Sequence, residues 1–300
     1  MLLRRLDRIF KDFHNCKFVF KLITFFAICN SVLYSQTVLE PYRIIAEQGT
    51  GKGKLFRPLA MSVDKKGLMY ILENELDRIQ VFDIDGSVRR TITDEDFRYG
   101  SDIVAGDFNI IVVLPRKKSF IQYYGLRLEK KTVRAFPPEI DSVKNAQMRT
   151  HWGKYYLLAL DLNRVFVLSP AFDVIDAYGF FGRGRESLTE PKDIVLADNS
   201  IYIADRSRQQ IVQISAELNM ETNHPAINPT ALCAIFLNNR TVILYSDGSH
   251  IYESGCNNDE AVTTQSFQSI VAIRYDNNNK LVSVLDRSAG TLSLFKVRIK

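Results

Sequence analysis

The chain has one tryptophan, four cysteines and four histidines among its 300 residues. Each scarcity removes a class of function. Two of the cysteines, Cys16 and Cys29, fall in an N-terminal segment that is expected to be removed, leaving Cys233 and Cys256. Two cysteines are too few for a zinc knuckle. Cys233 falls early in one predicted strand and Cys256 follows another strand of the same sheet, a separation beyond the roughly 7 Å Cα limit for a bridge, so two free thiols are expected. No apolar run reaches the roughly 18 residues that read as a membrane span. Helical periodicity is nearly absent after residue 36, whereas 46% of the chain is apolar, enough to bury a large β core.

The N-terminus differs from the rest. Arg4, Arg5, Arg8, Lys11, Lys17 and Lys21 precede the apolar run LITFFAICNSVL and then YSQ. A basic region, a short hydrophobic region and a small residue before Gln36 describe a secretory signal peptide over 1–35, with an uncleaved signal anchor or a buried N-terminal helix as the alternative. The mature protein is then expected to be secreted or periplasmic. The leader carries six of the 39 basic and two of the 34 acidic residues, leaving 33 against 32. A chain so nearly neutral has no electrostatic footprint for nucleic acid.

What the sequence does contain is repetition. PLAMSVDKKGLMYILENELDRIQVFD from Pro58 and PKDIVLADNSIYIADRSRQQIVQIS from Pro191 share one plan: strand, turn, strand, acidic turn, strand. Weaker copies start at Ser101, Val143, Pro229 and Gln268. Starts recur at the spacing of a four-stranded propeller blade, and six copies are found. In the first copy Ala60–Asp64, Leu68–Leu72, Arg78–Phe82 and Val88–Thr93 read as strands; the second is almost wholly apolar, as a strand covered on both faces must be. The sixth copy runs out after three strands, the last from Thr291 to Val297. Closing a ring removes unpaired sheet edges, so Tyr42–Ala46 is expected to supply the missing outer strand.

These phrases resemble the NHL family of six-bladed β-propellers. Gly49, Gly51, Gly53, Phe56, Pro58, Asp64, Gly67, Arg78 and Ile79 fit the family phrase, as do Gly179, Gly182, Gly184, Leu188, Pro191, Asp198, Asp205 and Ile211. The second and third copies lack its proline and glycines. The resemblance implies an all-β, six-bladed propeller over 36–300, with the last blade closed by the N-terminal strand. RNA binding, known for some intracellular members, conflicts with the leader and the neutral charge.

Several motifs resolve into structure rather than chemistry. GTGKGK at Gly49 is one residue short of a phosphate loop, has Leu55 where Ser or Thr is needed, and precedes no helix. GFFGRGRE at Gly179 is of the same kind. DIDG at Asp83 lacks the later ligands of a calcium loop and reads as a hairpin turn. His151, His224 and His250 lie in or beside turns without a nucleophile elbow or metal spacing.

The acidic turns after the second strands, at Asp161, Asp205, Asp247 and Asp286 with Glu73 and Asn74 in the first copy, are expected to bind their own turn backbone. Beside them Arg206 and Arg287, with Arg57, Arg116 and Arg183, come from equivalent loops and would gather at one mouth of the ring. Guanidinium groups placed so can grip carboxylates or sugars. The expected function is a monomeric binding or scaffold module for a protein, peptide or glycan, with no cofactor. Arg57, Arg116, Arg183, Arg206, Arg287, Asp205 and Asp286 are its candidate contacts. The alternative is a lactonase- or lyase-like enzyme with a metal in the central funnel. It would have to use Glu73, Asn74, Asp205 and Asp286, and Leu55-Phe56-Arg57 lacks the glutamate that lactonase-type propellers carry there.

Overall fold

Short apolar-alternating runs separated by Asn, Asp and Gly turns can bury their apolar sides only by stacking sheet on sheet. The computed structural model does this with six antiparallel sheets. It describes residues 36–106, 109–124, 128–182, 187–215, 218, 221–255 and 260–299. Blade I holds Ala60–Val63, Met69–Glu73, Arg78–Phe82 and Val88–Thr93, in that order from the axis outward. Blade II holds Asp102–Ala105, Asn109–Leu114, Ser119–Tyr124 and Lys130–Ala135. Blade III holds Ala146–His151, Lys154–Ala159, Arg164–Leu168 and Val174–Tyr178. Blade IV comprises Pro191–Ala197, Ser200–Asp205, Gln210–Ser215 and Glu221–Pro225. Blade V has Ala231–Leu237, Arg240–Ser246 and Ile251–Glu253. Blade VI starts with Ile270–Asp276, Leu281–Asp286 and Thr291–Ile299, and Thr37–Gln48 completes it.

The first strands of successive blades touch in order, and that of blade VI touches that of blade I, so the ring closes. The protein is a six-bladed β-propeller. Burial follows position in the blade: Met69–Glu73 and Arg78–Phe82 are buried throughout, while Val88–Thr93 alternates on the outside. The core is accordingly divided into six layers, one between each pair of neighbouring blades. Phe97, Ile103 and Ile121 join blades I and II, and Phe82, Leu285 and Leu294 join blades I and VI.

Closure uses more chain than the five residues expected. Thr37–Gln48 pairs antiparallel with the last strand from Thr37↔Ile299 to Ala46↔Leu292. Pro41, which has no amide to donate, sits next to a register shift, where an edge strand tolerates it. The same strand also reaches blade V. There the chain around Val262 lies between Ile251 and Leu39, receiving one backbone bond of 2.7 Å from Leu39 and donating one of 2.8 Å to Ile251.

The glycine-rich segments are crossings, as their sequence implies. Glu47–Gln48 pairs parallel with Lys54–Leu55, and Phe180–Phe181 with Ser187–Leu188, at corresponding places before blades I and IV. Gly179 has φ +93°, and a Cβ there would lie 2.9 Å from the carbonyl of Asn163, so this position demands glycine. Among the described residues no helix is long and apolar enough to cross a membrane.

Candidate functional site

Two places in the ring collect charged side chains: the loops at one end, and the axis.

At the loop end, the turn after each second strand meets the segment leading into the inner strand of the same blade. Asp205 and Asp286, the last residues of their strands, are buried. Asp205 accepts from the amides of Thr189 and Glu190 at 2.9 and 3.0 Å. Asp286 accepts from Gln268 and Ser269 at 2.6 and 3.1 Å, and from Ala289 at 3.0 Å. Asp161 binds the amides of Lys144 and Asn145 in the same way. Glu73 accepts from Phe56 at 2.8 Å and is clamped by Arg78 at 2.7 Å and Gln80 at 2.9 Å. The recurrent carboxylate thus fastens the lead-in of its blade, more than its own turn as expected from sequence; only Asp286 also binds within the turn. Asp247 departs from the pattern and binds Ser249 and His250 of its own turn.

These fastenings occupy Glu73, Asp205 and Asp286 separately, each in its own blade. The Asn74 side-chain oxygen is buried without a partner. Among the described residues no three His, Cys, Asp or Glu side chains are grouped to hold a metal ion.

The arginines of this end behave differently from one another. Arg206 pairs with Glu190 rather than with adjacent Asp205, and Arg57 pairs with Glu75 at 2.9 Å. Arg116 is exposed and Arg287 half-buried; neither guanidinium forms an ion pair among the described residues. Arg183 lies outside the described residues. Blades VI, I and II are consecutive, so Arg287, Arg57 and Arg116 share one sector of the ring, and Arg206 lies across it. The Arg206 and Lys192 contacts hold the Glu190 carboxyl down at about 2, well below its ordinary 4.5.

At the other end, His151 and Trp152 occupy the first turn of blade III, ring centroids 4.1 Å apart, with Trp152 41% exposed. Burial lowers the His151 pKa, which favours the neutral ring. His224 contacts Gln213 at 2.8 Å, and His250 lies 3.7 Å from Asp247.

The axis holds a charged cluster that the sequence reading did not single out. Arg149 of blade III reaches Asp102 of blade II at 2.6 Å and Asp193 of blade IV at 2.5 Å. Asp102 also accepts from the Met148 amide, and Asp193 from the amides of Ile194 and Leu232. Arg274 of blade VI lies 3.6 Å from Asp193 and donates to Leu232 of blade V at 3.4 Å and Met61 of blade I at 3.1 Å. The Ala105 amide donates to Ser62 Oγ, joining blades II and I. Polar links therefore run through all six blades and return to the first. Arg149, Arg274 and Ser62 of this ring line an axial cavity of about 290 Å³, to which the inner strands of every blade contribute.

A signal for the cluster was present. Arg149 and Arg274 stand inside inner strands, AQMRTH and IVAIRYD, each directly after an apolar residue, Met148 or Ile273. An arginine where a strand packs on both sides requires buried partners.

No family model matches the chain, and no curated protein matches it. Solved structures do resemble it. A streptogramin B lyase structure superposes with a TM-score of 0.58 at 11% identity, covering 88% of this chain and 98% of its own. Virginiamycin B lyase from Staphylococcus aureus, as a selenomethionine derivative, gives 0.53 at 13% identity over 88% of this chain and 90% of its own. The catalytically inactive histidine-to-alanine variant of that lyase with quinupristin gives 0.53 at 12%, over 87% and 89%. At such identities the likeness concerns the fold alone.

Proposed function

We propose that this propeller is an exported binding module that captures an anionic partner, an acidic peptide or glycan, on its loop end. The observation that carries this reading is the pair of arginines, Arg116 and Arg287, without ion-pair partners among the described residues, in one sector with Arg57. A stiff ring that fastens its loop bases through buried carboxylates holds such groups at fixed separations, which lowers the ordering cost of binding. Arg57 adds to the same field, because an exposed ion pair to Glu75 yields readily to a competing carboxylate. The test is retention of the purified protein on immobilised poly-glutamate peptide and on an array of uronic-acid glycans. Wild type is expected to be retained on one of them, less so as salt rises, and R116A/R287A to be released while keeping its melting temperature. Equal, salt-insensitive retention of the double variant would overturn the reading.

A second reading is a lyase-like enzyme, after the lyases that share the fold. One of those lyases is inactivated by loss of a histidine. In this chain none of His151, His224 and His250 lines the axial cavity. Incubating the protein with quinupristin separates the readings, since the binding module leaves it intact.

A further inference from the structure

The cavity on the axis has a chemical character distinct from the loop end. Ser62, Val104, Arg149, Val195, Cys233 and Arg274 hold corresponding positions on the six inner strands and line it together. Their registers agree: Ser62, Arg149 and Val195 stand opposite Tyr70, Tyr156 and Tyr202 on the second strands. One layer of the channel therefore contains two guanidinium groups, a thiol and a hydroxyl between valines.

The two arginines are not equally satisfied. Arg149 has both carboxylates within 2.6 Å. Arg274 has only the more distant contact to Asp193; its Nε and Nη1 donate to backbone carbonyls, and its Nη2 donates to nothing among the described residues. Unlike Arg149 Nε, which is buried without an acceptor, Nη2 is left to the cavity that Arg274 lines. The neighbouring Tyr275 also lines the cavity, but its ring packs against the core between blades V and VI and its hydroxyl is buried there, away from the cavity. Ser62 Oγ accepts from Ala105 and keeps its own hydrogen for a further acceptor. Two donors, from adjacent blades VI and I, thus line the cavity with no acceptor to meet them among the described residues. Burial and the nearby Arg149 charge push the Arg274 pKa down, the direction expected of a cation short of counter-charge.

We propose that the axial cavity is a binding site for a small monocarboxylate, whose oxygens take the free Nη2 of Arg274 and the hydroxyl of Ser62. A single negative charge suits the site, because Asp193 lies close to Arg274 and would repel a second. The remaining walls, Val63, Val104, Val195 and Leu196 among them, suit a short apolar tail. At about 290 Å³ the space holds the equivalent of roughly ten waters, which limits the ligand to a short-chain acid.

The site carries its own reporter, since Cys233 lines it. The experiment uses the purified protein with sodium butyrate, and with butyramide and sodium chloride as controls. It reads both the melting temperature and the alkylation rate of Cys233 by peptide mass spectrometry. Butyrate is expected to raise the melting temperature saturably and to slow Cys233 alkylation, and the controls to do neither. R274K, which keeps the charge but loses the fork, is expected to lose both effects. Because Arg274 also joins blades, that variant can fail to fold. S62A removes the second donor and is expected to bind butyrate about tenfold more weakly, the loss of one hydrogen bond to a charged group. Protection by butyramide equal to that by butyrate, or no protection of wild type, overturns the proposal. So does unchanged butyrate binding by S62A or by folded R274K.

Discussion

The amide of Thr37 donates to the buried carboxylate of Glu253 at 2.8 Å, across 216 residues of sequence. The strand that completes blade VI is thereby also anchored to blade V, so the N-terminal strand holds two of the six wedges together. Deleting residues 41–49 removes the partners of Leu292–Phe295 and leaves that stretch as an open edge. Such a truncation is expected to melt at lower temperature and to self-associate, measured by calorimetry and size-exclusion chromatography. Glu253→Ala, which leaves the Thr37 amide unmet, is expected to cost about 1–3 kcal/mol in urea unfolding. A monomeric truncation with unchanged melting would contradict this closure.

The fastening carboxylates and their neighbouring arginines are expected to separate cleanly in stability. Asp205→Ala strands the amides of Thr189 and Glu190 in a part-buried site, at about 1–3 kcal/mol for each unmet group. Arg206→Ala removes only a half-exposed ion pair, worth about 0–1 kcal/mol. Chemical denaturation of the two variants checks the order, and equal losses would refute the fastening role.

Glu190 gives the protein an acid limb of stability. Its folded carboxyl is held at about 2 by Arg206 first and Lys192 second, against an ordinary 4.5. A depressed carboxylate stabilises fully above the ordinary value and loses that contribution as pH falls toward the folded one. The stability difference between wild type and E190Q is therefore expected to be constant above about pH 5 and to vanish near pH 2. Urea midpoints across that range test the sign.

Burial pushes the Cys233 thiol up to about 12 from 9.0. That shift leaves about a thousandfold less thiolate at a given pH. Alkylation of Cys233 at pH 8 is expected to be slow in the native protein and fast in urea; similar rates would place the thiol outside the core.

Export is testable at the N-terminus. Material recovered from outside the cytoplasm is expected to begin near Gln36 by N-terminal sequencing. Recovery of such material starting at Met1 would overturn the cleaved leader and leave the uncleaved anchor.

Much of this architecture is written locally. Strand limits in blade I follow from apolar alternation and turn residues, and the structure places Met69–Glu73 within a residue of the segment read from sequence. The six repeats carried the blade count, and the shortage of a strand at the C-terminus carried the closure. The loop position of the arginines was equally legible, because every repeat has the same up-and-down order. Two things depended on tertiary structure. The partner of each loop arginine is one: Arg206 turns to Glu190 and not to the adjacent Asp205, whose oxygens the lead-in amides already occupy. The other is the axial cluster. Arg149 is 47 residues from Asp102 and 44 from Asp193, and alternation states only which side of a strand a residue faces. Only the curvature of the closed ring turns that side of six separate strands toward one axis, where charges that look misplaced in isolation become each other's partners.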